Sequence, residues 1–322
     1  MVTRSGTLKS RALLSVFSFV FLAAALSSCG QEPREEPSVR SVPMAESGPP
    51  FALTIAGVGF ATPESALHDA VGDVYLVANI NGGAAEKDGN GFISRVSPFG
   101  EVLDLKWIDG SAPGVTLNAP KGMAIVADTL FVADIDCIRR FHRVTGEPLQ
   151  ELCLEDAGFL NDVTATRRGD IYFSDSGTAD VPGAVYLLRQ TADVPQKVAL
   201  SDGTVLEGQE LGGPNGVFAD RRGLYVATFQ SGEIFRVTPE GERLQLLPVS
   251  EMGLDGFVSL EEKGFLFSSW GDSAVYWIRA DFNVTVLVGD VEAPADIGYD
   301  MSRNRVLIPL FRANELRLRE VR

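Results

Sequence analysis

From residue 51 onward, apolar residues fall into short runs separated by polar or Pro/Gly-rich turns. The clearest runs are 74–78 (VYLVA), 130–134 (LFVAD), 171–175 (IYFSD), 224–228 (LYVAT), 265–269 (FLFSS) and 306–308 (VLI). They are rich in β-branched and aromatic residues and too short for helices, so they predict strands. No long stretch keeps a 3.6-residue period, which argues against a doubly wound α/β fold.

About ten residues before each run comes a turn and another apolar stretch, as in Pro120-Lys121-Gly122-Met123-Ala124-Ile125 and Pro214-Asn215-Gly216-Val217-Phe218. One turn position recurs as Glu64, Lys121, Asn161, Asn215, Asp255 and Ala295, at spacings of 57, 40, 54, 40 and 40. The long intervals contain the Gly-rich run 81–91 and the polar segments 177–183 and 201–210, which read as loop insertions. Third strands follow, such as 91–96 and 233–237, leading into turns at 98–100 and 239–241. Four strands in 40 to 57 residues is the size of a propeller blade. The expected fold is therefore all-β: a six-bladed β-propeller over residues 51–322. The last repeat stops after a third strand at 315–321, and the run 51–56 is predicted to supply its fourth, closing the ring.

Cys137 and Cys153 lie about equally far from the turn at 144–147. Folding that hairpin sets them opposite each other, where a disulfide is expected in an exported protein. The alternative is two small core thiols.

The amino terminus reads as an address. Arg4, Lys9 and Arg11 precede 15 uncharged residues, 12–26, too few to span a bilayer as a helix and suited to a signal peptide. The stretch ends Leu26-Ser27-Ser28-Cys29 and resembles a bacterial lipobox. That resemblance implies a signal peptide at 1–28, lipidation of Cys29 and a place in the cell envelope. Gly30 rather than Asp after the Cys implies the outer membrane in a Gram-negative cell. Residues 29–50, rich in Glu and Pro and poor in large apolar residues, read as a disordered tether.

Charge narrows the partners. The chain carries 28 basic and 43 acidic residues, net −15. Cleavage before Cys29 removes three basic and no acidic residues, leaving −18. Nucleic acid is a poor partner for such a surface, and attachment to the membrane is expected through the lipid alone. Three Cys and two His cannot build the usual Cys/His zinc site. Phosphate-loop, dinucleotide, zincin and hydrolase-elbow signatures are missing. Asp88-Gly89-Asn90-Gly91 opens like a calcium loop, but Phe99 stands where an EF-hand needs an acid, so a tight turn is expected. His68 and His142 are expected apart, away from the channel mouth. Trp107, Trp270 and Trp277 could line a pocket, although large aromatics are more often core, and Trp270, which follows the fifth blade's second strand, is the one singled out.

In a propeller the first strand of each blade lines the channel, so the six recurring turn residues should meet at one mouth. Oxygen donors converging there suit Ca²⁺, Mg²⁺ or Mn²⁺. Glu64, Asn215 and Asp255 are the candidate ligands. The other arrangement is a hydrogen-bonded polar plug with Lys121 neutralising a carboxylate.

The turns Glu64-Ser65-Ala66, Asn161-Asp162-Val163, Pro214-Asn215-Gly216 and Leu254-Asp255-Gly256 resemble, in the same order, those of the senescence marker protein/gluconolactonase (regucalcin) family. The resemblance implies a propeller that binds a divalent metal (calcium first; magnesium, manganese or zinc otherwise) and hydrolyses lactones. It places metal ligands on Glu64, Asn215 and Asp255, proton handling on Asp255, and on Asn161 and Asp162 either substrate contacts or completion of the metal shell. Lys121, which is not a family ligand, reads as a further substrate contact. This chain departs by having Ser65-Ala66 where the family has Gly-Pro, and Phe159 where sugar-lactone enzymes often have arginine. The turn around Lys121 looks more like NHL-type propellers. Two readings follow: an envelope hydrolase acting on a small lactone or ester, and a non-catalytic propeller that binds a ligand or an envelope protein.

Overall fold

The computed structural model describes residues 50–248 and 253–322. The expected signal peptide, Cys29 and nearly all of the expected tether lie outside them. The described chain forms six four-stranded antiparallel sheets, and only two short 3₁₀ turns interrupt the strands.

The first strand, β1 (Ala52–Ile55), stands apart from the first blade. Blade 1 is β2 (Pro63–Asp69), β3 (Val74–Asn79), β4 (Phe92–Val96) and β5 (Val102–Asp109). Blade 2 is β6 (Pro120–Val126), β7 (Thr129–Asp134), β8 (Cys137–His142) and β9 (Leu152–Cys153). Blade 3 is β10 (Leu160–Ala165), β11 (Ile171–Asp175), β12 (Ala184–Leu188) and β13 (Gln196–Lys197). Blade 4 is β14 (Pro214–Asp220), β15 (Gly223–Thr228), β16 (Glu233–Val237) and β17 (Arg243–Pro248). Blade 5 is β18 (Leu254–Ser259), β19 (Gly264–Ser269), β20 (Ala274–Arg279) and β21 (Val284–Val288). Blade 6 is β22 (Gly298–Asp300), β23 (Arg305–Leu310) and β24 (Glu315–Glu320), and β1 completes it by pairing Ala52 with Arg319 and Ile55 with Leu316.

The core lies between blades. Leu76 and Ile93 of blade 1 pack with Leu130 and Val132 of blade 2. Tyr75 and Val77, on the other face of the same strand, pack with Leu307 and Leu316 of blade 6. Tyr225 and Ile234 meet Phe257 and Phe267 between blades 4 and 5. Each second strand is thus covered on both faces, which is why it reads as a continuous apolar run rather than an alternation. Cys137 and Cys153 pair directly across β8 and β9 and are joined in a disulfide.

Up-and-down connectivity gives the ring two unlike ends. Links from second to third strands, and from blade to blade, lie at the end where the inner strands begin. The turns between first and second strands, and between third and fourth, lie at the opposite end. The insertions 81–91 and 177–183 are second-to-third links, so both sit at the inner-strand start.

Candidate functional site at the channel mouth

One irregularity repeats around the axis. Pro63, Pro120, Leu160, Pro214 and Leu254 pair with the last residue of the neighbouring second strand, and Pro294 makes the same bridge to Leu310. After that pair each inner strand carries one extra residue. A bulge of this kind turns its side chains out of the pleat. The residue after the paired one is Glu64, Lys121, Asn161, Asn215, Asp255 or Ala295, so the six recurring positions are structurally equivalent. The residues that follow these are Ser65, which pairs with Ala78, and Gly122, Asp162, Gly216, Gly256 and Asp296. Neighbouring strands are close here: a Cβ on Gly216 would lie 2.1 Å from the Asp255 carbonyl, and one on Gly256 would lie 2.2 Å from the Ile297 amide nitrogen.

The preceding turns are fixed by side chains at the ends of second strands. Asn79 accepts the Ala61 N–H at 3.0 Å. Asp134 accepts those of Asn118 and Ala119, and Asp175 those of Gly158 and Phe159. Ser174 and Ser268 tie adjacent blades together: each accepts the N–H of its blade's bulge residue (Asp162, Gly256) and donates to the next blade's ring carbonyl (Asn215, Ala295).

Four carboxylates gather at this end. Burial, then repulsion from Asp255, raises Glu64 well above its ordinary range, against the pull of Lys121. Burial pushes Asp255 up to about 8, opposed by the Trp270 hydrogen bond. Burial also raises Asp162, to about 7, against backbone N–H donors from Val217 and Val163. Asp296 is raised well above its range by burial and by Asp162, Glu64 and Asp255. Lys121, buried among them, falls to about 8 because desolvation outweighs Glu64 and Asp134.

The side chains have different partners. Asp162 spends both oxygens on backbone, one on Val163 N–H and one on Val217 N–H, each at 2.6 Å, and so clamps blade 3 to blade 4. Asn161 donates to Ser176 Oγ at 3.1 Å. Lys121 Nζ donates to the Ala119 carbonyl at 3.0 Å and lies 4.3 Å from the Phe159 ring centre. Trp270 Nε1 donates to Asp255 Oδ2 at 2.8 Å. Glu64 Oε2, Ser65 Oγ, Asn215 Oδ1 and Asp255 Oδ1 are buried without a hydrogen-bond partner. A buried polar atom normally has one, and these four share one channel. No group of three or more His, Cys, Asp or Glu among the described residues is arranged to hold a metal. The unpaired set instead consists of two carboxylates, an amide and a hydroxyl.

Above this ring sits a second one. The residue following each second strand is Ile80, Ile135, Ser176, Phe229, Trp270 or Phe311. Trp270 packs against Phe229 at 5.5 Å and Phe311 at 5.1 Å, and Phe311 also lies against Ile80, Ile135 and Ala119. Only Ser176 is polar. A groove of about 510 Å³ opens beside this rim, lined by Phe229, Trp270, Ser273, Glu292 and Arg312 among others.

Trp270 was singled out from the sequence; the rest of the rim and Asp296 were not. Both stand at fixed offsets, one residue past each second strand and one past Ala295. Asp88 and Asn90 form a local turn through Asn90 N–H and Nδ2, as read from the sequence. His68 lies near the far end of β2, beside Asp73 and Asp300, and His142 at the far end of β8 beside Thr145.

The class defined by this geometry is a closed six-bladed propeller with polar, partly unpaired side chains at one channel mouth. No family model and no curated protein sequence matches the chain. Among solved structures, it is similar to a gluconolactonase from Xanthomonas campestris, at 17% identity over 85% of this chain and 91% of the other, with a TM-score of 0.63. A luciferin-regenerating enzyme matches at 12% identity over 85% and 96%, with a TM-score of 0.58. A virginiamycin B lyase from Staphylococcus aureus matches at 13% identity over 85% and 100%, with a TM-score of 0.55. The fold is that of the gluconolactonase propellers.

Proposed function

We propose that the chain is a divalent-metal-dependent hydrolase of a lactone or similar ester, held in the cell envelope by a lipid on Cys29. The observation that carries the reading is the convergence of Glu64 Oε2, Asn215 Oδ1 and Asp255 Oδ1, buried and unpaired, in one channel. With the other carboxylates around them, these groups would bring more negative charge than Lys121 balances once a cation displaces their protons, and hard oxygen donors of this kind suit Ca²⁺, Mg²⁺ or Mn²⁺. The equivalents of those donors in order along the chain are what the gluconolactonase resemblance rests on.

Glu64, Asn215 and Asp255 would hold the cation. A cation there polarises an ester carbonyl and makes a bound water more acidic. The Trp270 indole donates to Asp255 Oδ2 and fixes the carboxylate with Oδ1 unpaired in the channel, where Asp255 would stand beside both the cation and the attacking water whose proton it would take. Lys121 stays beside the site on Ala119 and Phe159, so it leaves Glu64 Oε2 unengaged.

The rim and Phe159 shape the substrate. Five of its six positions are apolar, so a substrate with an apolar body suits this mouth better than a polyhydroxylated sugar acid. A histidine-to-alanine variant of a virginiamycin B lyase is catalytically inactive. Neither His68 nor His142 is near this mouth, which disfavours lyase chemistry of that kind.

The test is a panel of aliphatic lactones, aryl esters and gluconolactone with the full chain, with Ca²⁺, Mg²⁺ or Mn²⁺ and with chelator. Metal-dependent turnover that is lost in Asp255→Asn supports the reading. A chain that binds none of these cations and turns over no substrate overturns it and leaves the ligand-binding propeller.

A further inference from the structure

Eight described large apolar residues have more than half of their surface exposed, and six of them sit in turns at the end opposite the mouth. Val71 (81%) and Met301 (60%) lie between first and second strands. Phe99 (77%), Val144 (52%), Val194 (71%) and Phe282 (63%) lie between third and fourth strands. Isolated exposed apolar residues need no explanation; the gathering of six of the eight on one face is what calls for one. These tips come from five of the six blades and surround the channel axis.

The described chain also begins at this end. Ala52 pairs with Arg319, near the end of β24, so Phe51 stands beside the turn face. Arg305 links the two features: it stacks on Phe51 and donates to the Pro98 carbonyl, next to Phe99. The 22 residues from Cys29 to Pro50 therefore enter the propeller on the face that carries the apolar tips.

We propose that this turn face rests on a phospholipid leaflet, with its apolar tips in the interfacial zone, so that the channel mouth points away from the membrane. The proposal rests on the envelope-lipoprotein reading, and it adds a protein surface to an attachment expected from the lipid alone. If it is the disordered tether its composition predicts, a segment of that length would have a root-mean-square span of about 25 Å. It would hold the face near the leaflet at an effective concentration on the order of millimolar, so weak intrinsic contact suffices. Acidic neighbours of the tips (Glu101 near Phe99, Asp193 beside Val194, Asp281 beside Phe282) favour a zwitterionic over an anionic leaflet.

The experiment places an environment-sensitive fluorophore at Phe99→Cys, Phe282→Cys or Arg312→Cys in a Cys29→Ser chain. The chain is captured by an amino-terminal histidine tag on phosphatidylcholine vesicles doped with chelator lipid. The expected result is a blue shift and quenching by bilayer-embedded quenchers at 99 and 282, with 312 unchanged. No change at 99 and 282, or a shift at 312, overturns the proposal. In flotation of untagged Cys29→Ser chain, Phe99→Ser with Phe282→Ser should lower vesicle partitioning about tenfold, at unchanged melting temperature. Equal partitioning of the two chains also overturns it. The mass of the Cys29 peptide from an exporting host reports the lipid separately. Because capture uses the tag, absence of that lipid would sink the anchor reading while the orientation result stands.

Discussion

Both ends of the propeller bury carboxylates, and they treat them in opposite ways. At the turn end, Asp300 is fully buried, yet it accepts from Tyr75 at 2.7 Å, Ser302 at 2.6 Å, and Arg303 through both backbone and guanidinium at 3.0 Å. Burial alone would raise it; those donors instead hold it well below the ordinary carboxylate range. Arg303 also reaches Asp73, so the network joins blade 6 to blade 1. At the mouth, Glu64 and Asp255 are as deeply placed, but each keeps an oxygen with no donor. The first cluster stabilises the fold. The second costs stability, and its unpaired oxygens are what the proposed function gives to a cation.

Substitutions separate the two roles. The largest effect expected is on activity: Asp255→Asn should lower lactone turnover by about 10²–10⁴-fold, while stability in chelator stays level or rises because a repulsive charge is gone. Equal turnover by wild type and Asp255→Asn would remove Asp255 from the chemistry. Asp300→Ala should do the reverse, costing about 3 kcal/mol in denaturant unfolding because Arg303 and Tyr75 lose a buried partner. A loss near zero would erase the contrast between the two ends.

The pH dependence follows with smaller effect. Asp255 and Asp162 have folded pKa values raised to about 8 and about 7 from an ordinary 3.8. The folded, metal-free protein thus holds protons that the unfolded chain has released. The stability they contribute is complete below about pH 4 and is lost as pH rises through 7 to 8. Lys121, lowered to about 8, begins to release its proton only at the top of that window; there it acts in the opposite direction, one group against two carboxylates, and does not change the sign. Chelated protein should therefore melt at lower temperature at pH 8 than at pH 5, and added Ca²⁺ should restore more at pH 8. A melting temperature that is level across the window with chelator would contradict the crowding of carboxylates. The smallest effect is Lys121→Met, expected to tighten cation binding by up to about tenfold by removing a like charge, as read by calorimetric titration.

Much of this organisation was legible because a period of about 40 residues needs no knowledge of contacts. Runs such as 171–175 and 224–228 identified the second strands, and the missing fourth strand of blade 6 pointed to β1. Glu64, Asn215 and Asp255 were legible because they share one offset from those strands. The direction of their side chains was not, because a bulge breaks the alternation just where the ring forms. Asp296 was hidden for the same reason: the equivalent position is Ala295, and the carboxylate enters from the extra residue. The rim escaped because Ile80, Ser176 and Trp270 share a place but no chemistry. The partners of Asp300 lie up to 225 residues away in sequence, a distance that patterning does not reach.

The seam between the first and last blades carries a consequence for how the protein is made. Asp296 N–H bonds the Glu64 carbonyl, and Ala66 N–H bonds the Asp296 carbonyl, directly across that seam. Glu64 leaves the ribosome early, whereas β24, which β1 must pair to close the ring, follows every other described strand. The oxygen cluster is therefore assembled only once β24 has been made and the ring has closed. A chain cut short before β24 would carry most of the same side chains and no ring to hold them, which ties the site to the integrity of the whole ring.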